Sequence, residues 1–449
     1  MNEDLAGLAQ DVVRMARERG VTGAECTIAE GEEFSANLRM REVESIKQAG
    51  SRAAGLRVVI GRRTGSAYTS DLTAEGIRQM LDAAVELASV TTEDPHAGLP
   101  DPEELGRINA DLGMFCNDIA SLDTATKLDC ARRAEDAALS FDPRITNSEG
   151  ASFDSNLGRR VFANSLDFVG EYRSSYCSLN TVPVAKQDGV MERDYWFSIA
   201  RGFAALEPPE EVGRIAAERT LRRLGARKVE TQKAPVIFEP RTARSLLDHI
   251  FEAVHGVSIY RQESFLAGRL GEKIASDSLT VIDDGTIPGL FGSSPFDDEG
   301  VPTRRTVVID RGVLKSYLLN TYAARKLNLK TTGNASRGLS GNAGIGHGNF
   351  FAEKGVKTPE EIIASVRNGF YVTELMGFGV NIVTGDYSRG AAGIWICDGE
   401  LAFPVSEVTI AGNLKGMLMD LEAIGSDLEF RGSTAAPTLL IPEMTVGGR

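Results

Sequence analysis

The chain has 449 residues, 42% of them hydrophobic and 25% charged, with 49 Lys and Arg against 63 Asp and Glu for a net charge of −14. That composition excludes wholesale disorder, collagen-like repeats and disulfide-dense miniature scaffolds, and the length calls for more than one ordinary domain. The acidic balance repels phosphate backbones and no basic patch interrupts it, which argues against direct nucleic-acid binding.

Glu3 and Asp4 stand where a secretory signal needs positive charge, and no apolar run follows, so the chain is expected to start without a leader. Apolar runs such as residues 56–60 and 439–441 are far shorter than the ~20 residues of a membrane-spanning helix, so a soluble protein is expected. The five cysteines, Cys26, Cys116, Cys130, Cys177 and Cys397, are odd in number and lack CxxC spacing. Neither a disulfide framework nor a zinc knuckle is indicated, and a cytoplasmic location is expected.

Leu5, Leu8, Val12, Val13 and Ala16 predict an amphipathic helix over residues 4–19, closed by Gly20. Short runs at 24–29, 34–40, 53–60 and 64–68 predict an antiparallel meander. Asp71 and Thr73 can cap a second helix reaching Val90, and a Pro-containing linker covers 91–104. A further helix over 118–139, strands within 145–200 and a helix over 208–224 follow, then a polar connector at 226–235. Beyond it, strands are predicted at 281–284, 306–310, 314–319, 393–397, 400–403, 408–411 and 438–441. Asp284-Gly285, Arg311-Gly312 and Asp398-Gly399 would supply the positive-φ turns.

This pattern lacks regular βαβ alternation and predicts an α+β protein. An N-terminal α+β domain would span 1–228, with sub-segments of about 1–95 and 110–228, its antiparallel sheet flanked by helices. A β-rich, curved or barrel-like C-terminal domain would span 229–449. The glycines between Thr331 and Gly348 predict a mobile surface loop, without the Gly-Lys-Ser/Thr of a phosphate-binding loop.

Only four histidines are present, His96, His249, His255 and His347. His249, Glu252 and His255 spell His-x-x-Glu-x-x-His within a helix predicted over 242–257. In a regular helix a spacing of six sets the two rings ~120° apart around the axis and ~9 Å along it, too far for one zinc ion. A polar stripe opposite Leu246, Leu247, Ile250, Phe251, Val254 and Val257 accounts for the pattern. His347 between glycines and His96 in the linker read as tolerated polar residues. The carboxylates of Asp283-Asp284-Gly285 and Asp297-Asp298-Glu299-Gly300 suit turns better than a cation or acid–base pair. Cys397 ends an apolar strand pattern and is expected to be buried.

The runs Ile282-Asp283-Asp284-Gly285-Thr286, Phe296-Asp297-Asp298-Glu299-Gly300, Gly377-Phe378-Gly379-Val380-Asn381 and Thr384-Gly385-Asp386-Tyr387-Ser388-Arg389-Gly390, in this order and spacing, resemble the TldD/PmbA family. The likeness covers nearly the whole chain and is strongest from Val236 onward. The resemblance implies a cytoplasmic zinc peptidase system, whose members have also been described as DNA gyrase modulators. Its TldD branch carries a His-Glu-x-x-x-His helix and a C-terminal cysteine ligand; its PmbA branch, also called TldE, lacks them and pairs with TldD. Counting back from Gly271-Glu272, Leu247 and Glu252 fall where TldD would carry its histidines, and Arg431 or a neighbour falls where the cysteine is expected.

The chain is therefore similar to the PmbA branch. The resemblance implies a metal-free subunit of a heteromeric metallopeptidase that cleaves unfolded or small peptides, shapes the substrate chamber and binds no cofactor, the zinc residing in a TldD-type partner. Whether this chain is itself an enzyme stays open, a homodimer is expected in the partner's absence, and no catalytic residue is assigned. Exposed strand edges would hold peptide by main-chain hydrogen bonds. Thr384, Gly385, Asp386, Tyr387, Ser388 and Arg389 are the peptide-binding candidates, Gly385 for close approach and Arg389 for a peptide carboxylate. The rivals are a non-catalytic modulator of DNA gyrase or of a toxin–antitoxin pair, and an autonomous hydrolase using the aspartate clusters.

Overall fold

The computed structural model describes residues 4–448; Glu3, half of the N-terminal charge argument, lies outside them. The first helix, Leu5–Glu18, opens on Asp4, whose carboxylate accepts the Gly7 N–H at 2.8 Å, and it buries Leu5, Ala9, Val12, Val13 and Ala16. The helix Ala74–Val90 is capped as expected by Thr73, which accepts from the Gly76 N–H.

The predicted meander is built from much longer strands. Gly23–Arg39 and Glu42–Ile60 form one hairpin, turning at Met40 and Arg41, both at positive φ (50° and 72°). The sequence divides these strands because Glu30, Glu32 and Glu33 and residues 42–51 interrupt the apolar pattern. The ladder continues because its main-chain hydrogen bonds do not depend on those side chains. The sheet runs in the order Arg63–Thr69, Glu42–Ile60, Gly23–Arg39, Ile145–Asn164, Val169–Gln187 and Val190–Arg193, with Trp196–Ala200 also on Val169–Gln187. It curves as an antiparallel half-barrel.

In Gly23–Arg39, Ala24, Cys26 and Ile28 near one end and Phe34, Ala36 and Leu38 near the other bury the same face under helices. Leu5–Glu18 and Ala74–Val90 cover one end, while Thr124–Phe141 and Pro209–Leu221 cover the other. The opposite face turns Glu25 toward the C-terminal half. There Glu25 accepts hydrogen bonds from Arg57 at 2.6 Å and from Arg337 at 2.9 Å, with both ends of each pair buried.

In the C-terminal half, Glu400–Asn413, Asp386–Cys397, Asn368–Met376, Gln232–Phe238 and Leu439–Gly447 form a five-stranded barrel. It closes where Leu439–Gly447 pairs with Glu400–Asn413. The separate short strands predicted at 400–403 and 408–411 are one strand, continuous through Pro404. A smaller sheet contains Arg305–Asp310, Val281–Asp284, Asn349–Ala352 and Thr434–Ala435. The helix Pro240–Val254 packs Leu246, Leu247, Ile250 and Val254 into the core that joins barrel and small sheet.

Several local expectations are corrected. Of the predicted strand at 314–319, Leu314 pairs within the short strand Val313–Leu314 and Leu318 makes an isolated bridge with His255. Arg311-Gly312 and Asp398-Gly399 are positive-φ turns, but Asp284-Gly285 is not. Gly285 is small because a Cβ there would lie 2.6 Å from the Cβ of Thr303. Cys397 is exposed, since it sits one residue beyond the buried run that ends at Ile396.

The segment 331–348 is not a mobile surface loop but a wedge between the two halves. Asn334 donates to Asp283 at 2.7 Å, the Gly348 N–H donates to the same carboxylate at 2.7 Å, and Asp297 accepts from Ala335 N–H at 2.9 Å. The two aspartate runs thus anchor this segment. Burial raises the pKa of Asp283 to about 7.

Candidate functional site

Where the half-barrel meets the closed barrel, residues from both enclose a cavity of about 480 Å³. Tyr195, Trp196 and Phe197 make its N-terminal wall. The first turns of Pro240–Val254 supply Arg241, Thr242, Arg244 and Ser245, barrel strands supply Thr373, Glu374, Leu375 and Arg389, and the C-terminal segment supplies Glu429, Arg431 and Thr434.

The walls are braced by buried ion pairs. Arg219 donates to Glu239 at 2.6 Å and lies 3.2 Å from Asp194, which also stands 3.3 Å from Arg241. Desolvation works against ionised Asp194, but Arg219 and Arg241 more than offset it and hold its pKa below the usual carboxylate range. Arg431 donates to Glu207 at 2.6 Å and to the Phe197 carbonyl at 2.7 Å, and its guanidinium stacks 4.2 Å from the Trp196 ring. Glu374 pairs with Arg223 at 2.5 Å.

Of the six peptide-binding candidates, Arg389 alone lines this cavity. Thr384 and Asp386 form a turn with Asn413. The Thr384 hydroxyl donates to Asp386 at 2.6 Å, and Asn413 donates to the Thr384 carbonyl at 3.2 Å and to Asp386 at 3.1 Å. Gly385 has φ 87°, and a Cβ there would approach Asn413 to 2.9 Å. Ser388 points away from the core. Tyr387, two residues before Arg389 and on the same strand face, is only 1% exposed.

His249 packs edge-on to Tyr387 with ring centroids 6.1 Å apart, and its Nδ1 lies 3.9 Å from Glu252. Burial, reinforced by the positive charge of Arg389, lowers its pKa. His255 is not in the helix, contrary to the sequence reading. The helix ends at Val254, and His255 takes an extended conformation (φ −64°, ψ 122°) to cap the next turn, accepting from the Val257 N–H at 3.3 Å. Its ring lies against Phe251, as does that of His347. His347 is held through its neighbour's carbonyl and lies 3.4 Å from the Thr434 hydroxyl. His96 packs edge-on to Tyr322, far along the chain from this helix.

Among the described residues no three His, Cys, Asp or Glu side chains converge on a common point. A zinc ion, which needs three protein ligands in a catalytic site, does not fit the residues present. Leu247 is core at 1% exposure, Glu252 faces solvent, and Arg431 is committed to Glu207 and Glu429. Sequence reasoning missed the cavity's N-terminal wall. Three consecutive aromatics, Tyr195-Trp196-Phe197, in a chain with 7% aromatic residues were its visible signal.

Family models describing the PmbA/TldA metallopeptidase domain 1, central domain and C-terminal domain match residues 24–88, 117–224 and 231–448. The Escherichia coli O157:H7 protein named Metalloprotease PmbA is 42% identical over 427 residues, covering 95% of this chain and 92% of that protein. A Metalloprotease PmbA homolog of Haemophilus influenzae is 34% identical over 99% of this chain and 96% of its own length. A crystal structure from Bacteroides thetaiotaomicron, of a candidate modulator of DNA gyrase, superposes with a TM-score of 0.93 at 28% identity, each chain covered in full. The crystal structure of TldE from Thermococcus kodakarensis shares the fold, with a TM-score of 0.89 at 21% identity over 98% of this chain and all of that one. Among the described residues, no helix is long and apolar enough to cross a membrane.

Proposed function

Because the chain belongs to the PmbA branch of the TldD/PmbA metallopeptidase family, we propose that it is the subunit that binds no metal in a heteromeric zinc peptidase. A TldD-type partner supplies the zinc and the general base, and this chain helps shape a chamber for unfolded or small peptides. Both act in the cytoplasm.

The observation that carries this reading is the cavity wall at Arg431. The resemblance expects a cysteine ligand near this position in a metal-binding subunit; here a guanidinium braces the wall through Glu207, Glu429 and Trp196. The cavity joins both halves of the chain and is lined on one side by the helix that would carry ligands in the other branch.

In this role the chain contributes binding and orientation. Arg389 offers a charge-assisted contact to an anionic group of the substrate. Among the described residues, the outer edge of Glu42–Ile60 is unpaired before Ala54, where its pairing with Arg63–Thr69 begins, and it offers main-chain groups to an extended chain.

The test is elemental analysis and peptide cleavage by the purified chain, with and without a TldD-type partner. We expect no stoichiometric zinc in this chain and no cleavage by it alone. With the partner we expect a stable complex on size exclusion, burying more than ~1,600 Å², and peptidase activity in the mixture. One zinc per chain that is lost in His249→Ala overturns the reading. If the TldD-type subunit alone cleaves as fast as the mixture, the modulator reading replaces it, and sustained cleavage by this chain alone favours the autonomous hydrolase.

A further inference from the structure

The cavity carries more positive charge than its own carboxylates neutralise. Its four acidic residues, Asp194, Glu239, Glu374 and Glu429, are each within ion-pair distance of an arginine. Two of its arginines, Arg244 and Arg389, have no carboxylate within that distance among the described residues.

Arg389 Nε is buried and makes no hydrogen bond. His249 Nε2 beside it is likewise buried and without a partner, whereas the Tyr387 hydroxyl lies within reach of the Arg389 guanidinium itself. Buried polar atoms are nearly always satisfied, so a half-buried guanidinium with a buried, unpartnered Nε and no counter-ion marks where an anionic group is accommodated. His249 does not add to the positive charge near neutral pH, since burial and Arg389 both favour its neutral form.

The ligand must also satisfy the opposite wall. Tyr195, Trp196 and Phe197, with Leu375, offer apolar surface in the same cavity of about 480 Å³. That volume lies within the range of small-ligand pockets and suits one or two amino-acid residues. An α-carboxylate joins its charge to the same Cα that bears the side chain, so a C-terminal residue presents anion and apolar group together. An aspartate or glutamate side chain is the other source of a carboxylate, but it carries no apolar group of its own.

We propose that this cavity binds the C-terminal residue of a peptide, its α-carboxylate held by Arg389 and Arg244 and its side chain laid on the Tyr195, Trp196 and Phe197 wall. This rests on the reading that the chain handles peptides and adds which end of the peptide it holds.

The protein has two tryptophans, Trp196 in the cavity wall and Trp395 in the barrel core. In the full-length Trp395→Phe chain, Trp196 fluorescence therefore reports occupancy. The probes are a hexapeptide ending in Phe with a free carboxylate, its C-terminal amide, and an amidated hexapeptide with Glu at the last position. We expect the free acid to bind at least tenfold more tightly than either amide. That difference should vanish in Arg389→Gln, shrink in Arg244→Gln and be partly kept in Arg389→Lys. Equal binding of acid and amide overturns the proposal. So does equally tight binding of the Glu amide, which would assign the cavity to acidic side chains, or an undiminished difference in a folded Arg389→Gln.

If Arg389→Gln does not fold, competition on the parent chain decides. Acetyl-phenylalanine should displace the free-acid hexapeptide and acetyl-phenylalanine amide should not; equal displacement overturns the site. The outcomes separate from those of the subunit reading. Acid–amide discrimination with an inactive mixture keeps the cavity and removes the peptidase role, whereas an active mixture without discrimination does the reverse.

Discussion

Replacing Asp283 by Asn should remove a pH dependence of stability that the fold creates by burying this carboxyl. Asp283 is 2% exposed, accepts hydrogen bonds from the Gly348 N–H and Asn334, and has its pKa raised by burial to about 7. An unfolded aspartate titrates near ~3.9. Between those values the native state holds the proton and the unfolded state does not, so native stability falls as pH rises and levels off above pH 7. Three units at 1.36 kcal/mol each set a ceiling of about 4 kcal/mol on the ionisation cost, and partial water access would bring it to about 2 kcal/mol. Asn keeps an oxygen for the Gly348 N–H and cannot ionise. Urea unfolding of both proteins at pH 5, 6, 7 and 8 isolates this group, because carboxylates with lowered pKa values, such as Glu25 and Asp194, cancel in the difference. The stability of Asp283→Asn relative to the parent should climb from pH 5 to pH 7 and then flatten. A difference that stays constant across the range would show that Asp283 titrates as an ordinary aspartate, and the burial argument would fail.

Arg337→Met should destabilise the protein by about 3 kcal/mol, because Glu25 would remain buried with Arg57 alone. Adding Glu25→Gln should recover part of that loss in the same denaturation assay. Gly55→Ala would bring a Cβ to 1.6 Å from the Leu339 carbonyl oxygen, so the wedge should be displaced. The expected cost is about 1–3 kcal/mol, with new proteolytic cleavage within 338–343 as the readout. Cys397 should react rapidly with a thiol reagent at pH 8 in the native protein and be silenced in Cys397→Ser. Cys26 and Cys177, buried and with pKa values pushed up to about 12, should react only on unfolding.

Helix ends and apolar stripes were legible in the sequence because they are set by neighbours in the chain. Asp4 and Thr73 cap their helices through N–H groups three residues on, and the stripe from Leu5 to Ala16 needs only the helical period. The α+β class, the long C-terminal run of strands and the family resemblance were legible for the same reason: turn chemistry and motif order are linear features. The break in the helix at His255 was not legible, so the regular-helix geometry assumed for the His249 and His255 spacing does not hold there.

Tertiary structure decided what depends on partners distant in sequence. Strand length was one such property, since Glu42–Ile60 continues through polar residues on the strength of its ladder with Gly23–Arg39. The fate of the Gly-rich segment was another. Composition predicts mobility, but Arg337 meets Glu25 across 312 positions and Asn334 meets Asp283 across 51, and buried charge-assisted contacts hold what glycine leaves free. The cavity is the clearest case. Its aromatic wall, arginines and barrel strands come from six separated stretches of chain. Whether an arginine is neutralised or left for a ligand depends on which carboxylates folding brings beside it. Arg431 and Arg389 are both single arginines in glycine-flanked stretches of sequence, yet the fold gives one of them Glu207 and Glu429 and leaves the other facing the cavity without a counter-ion.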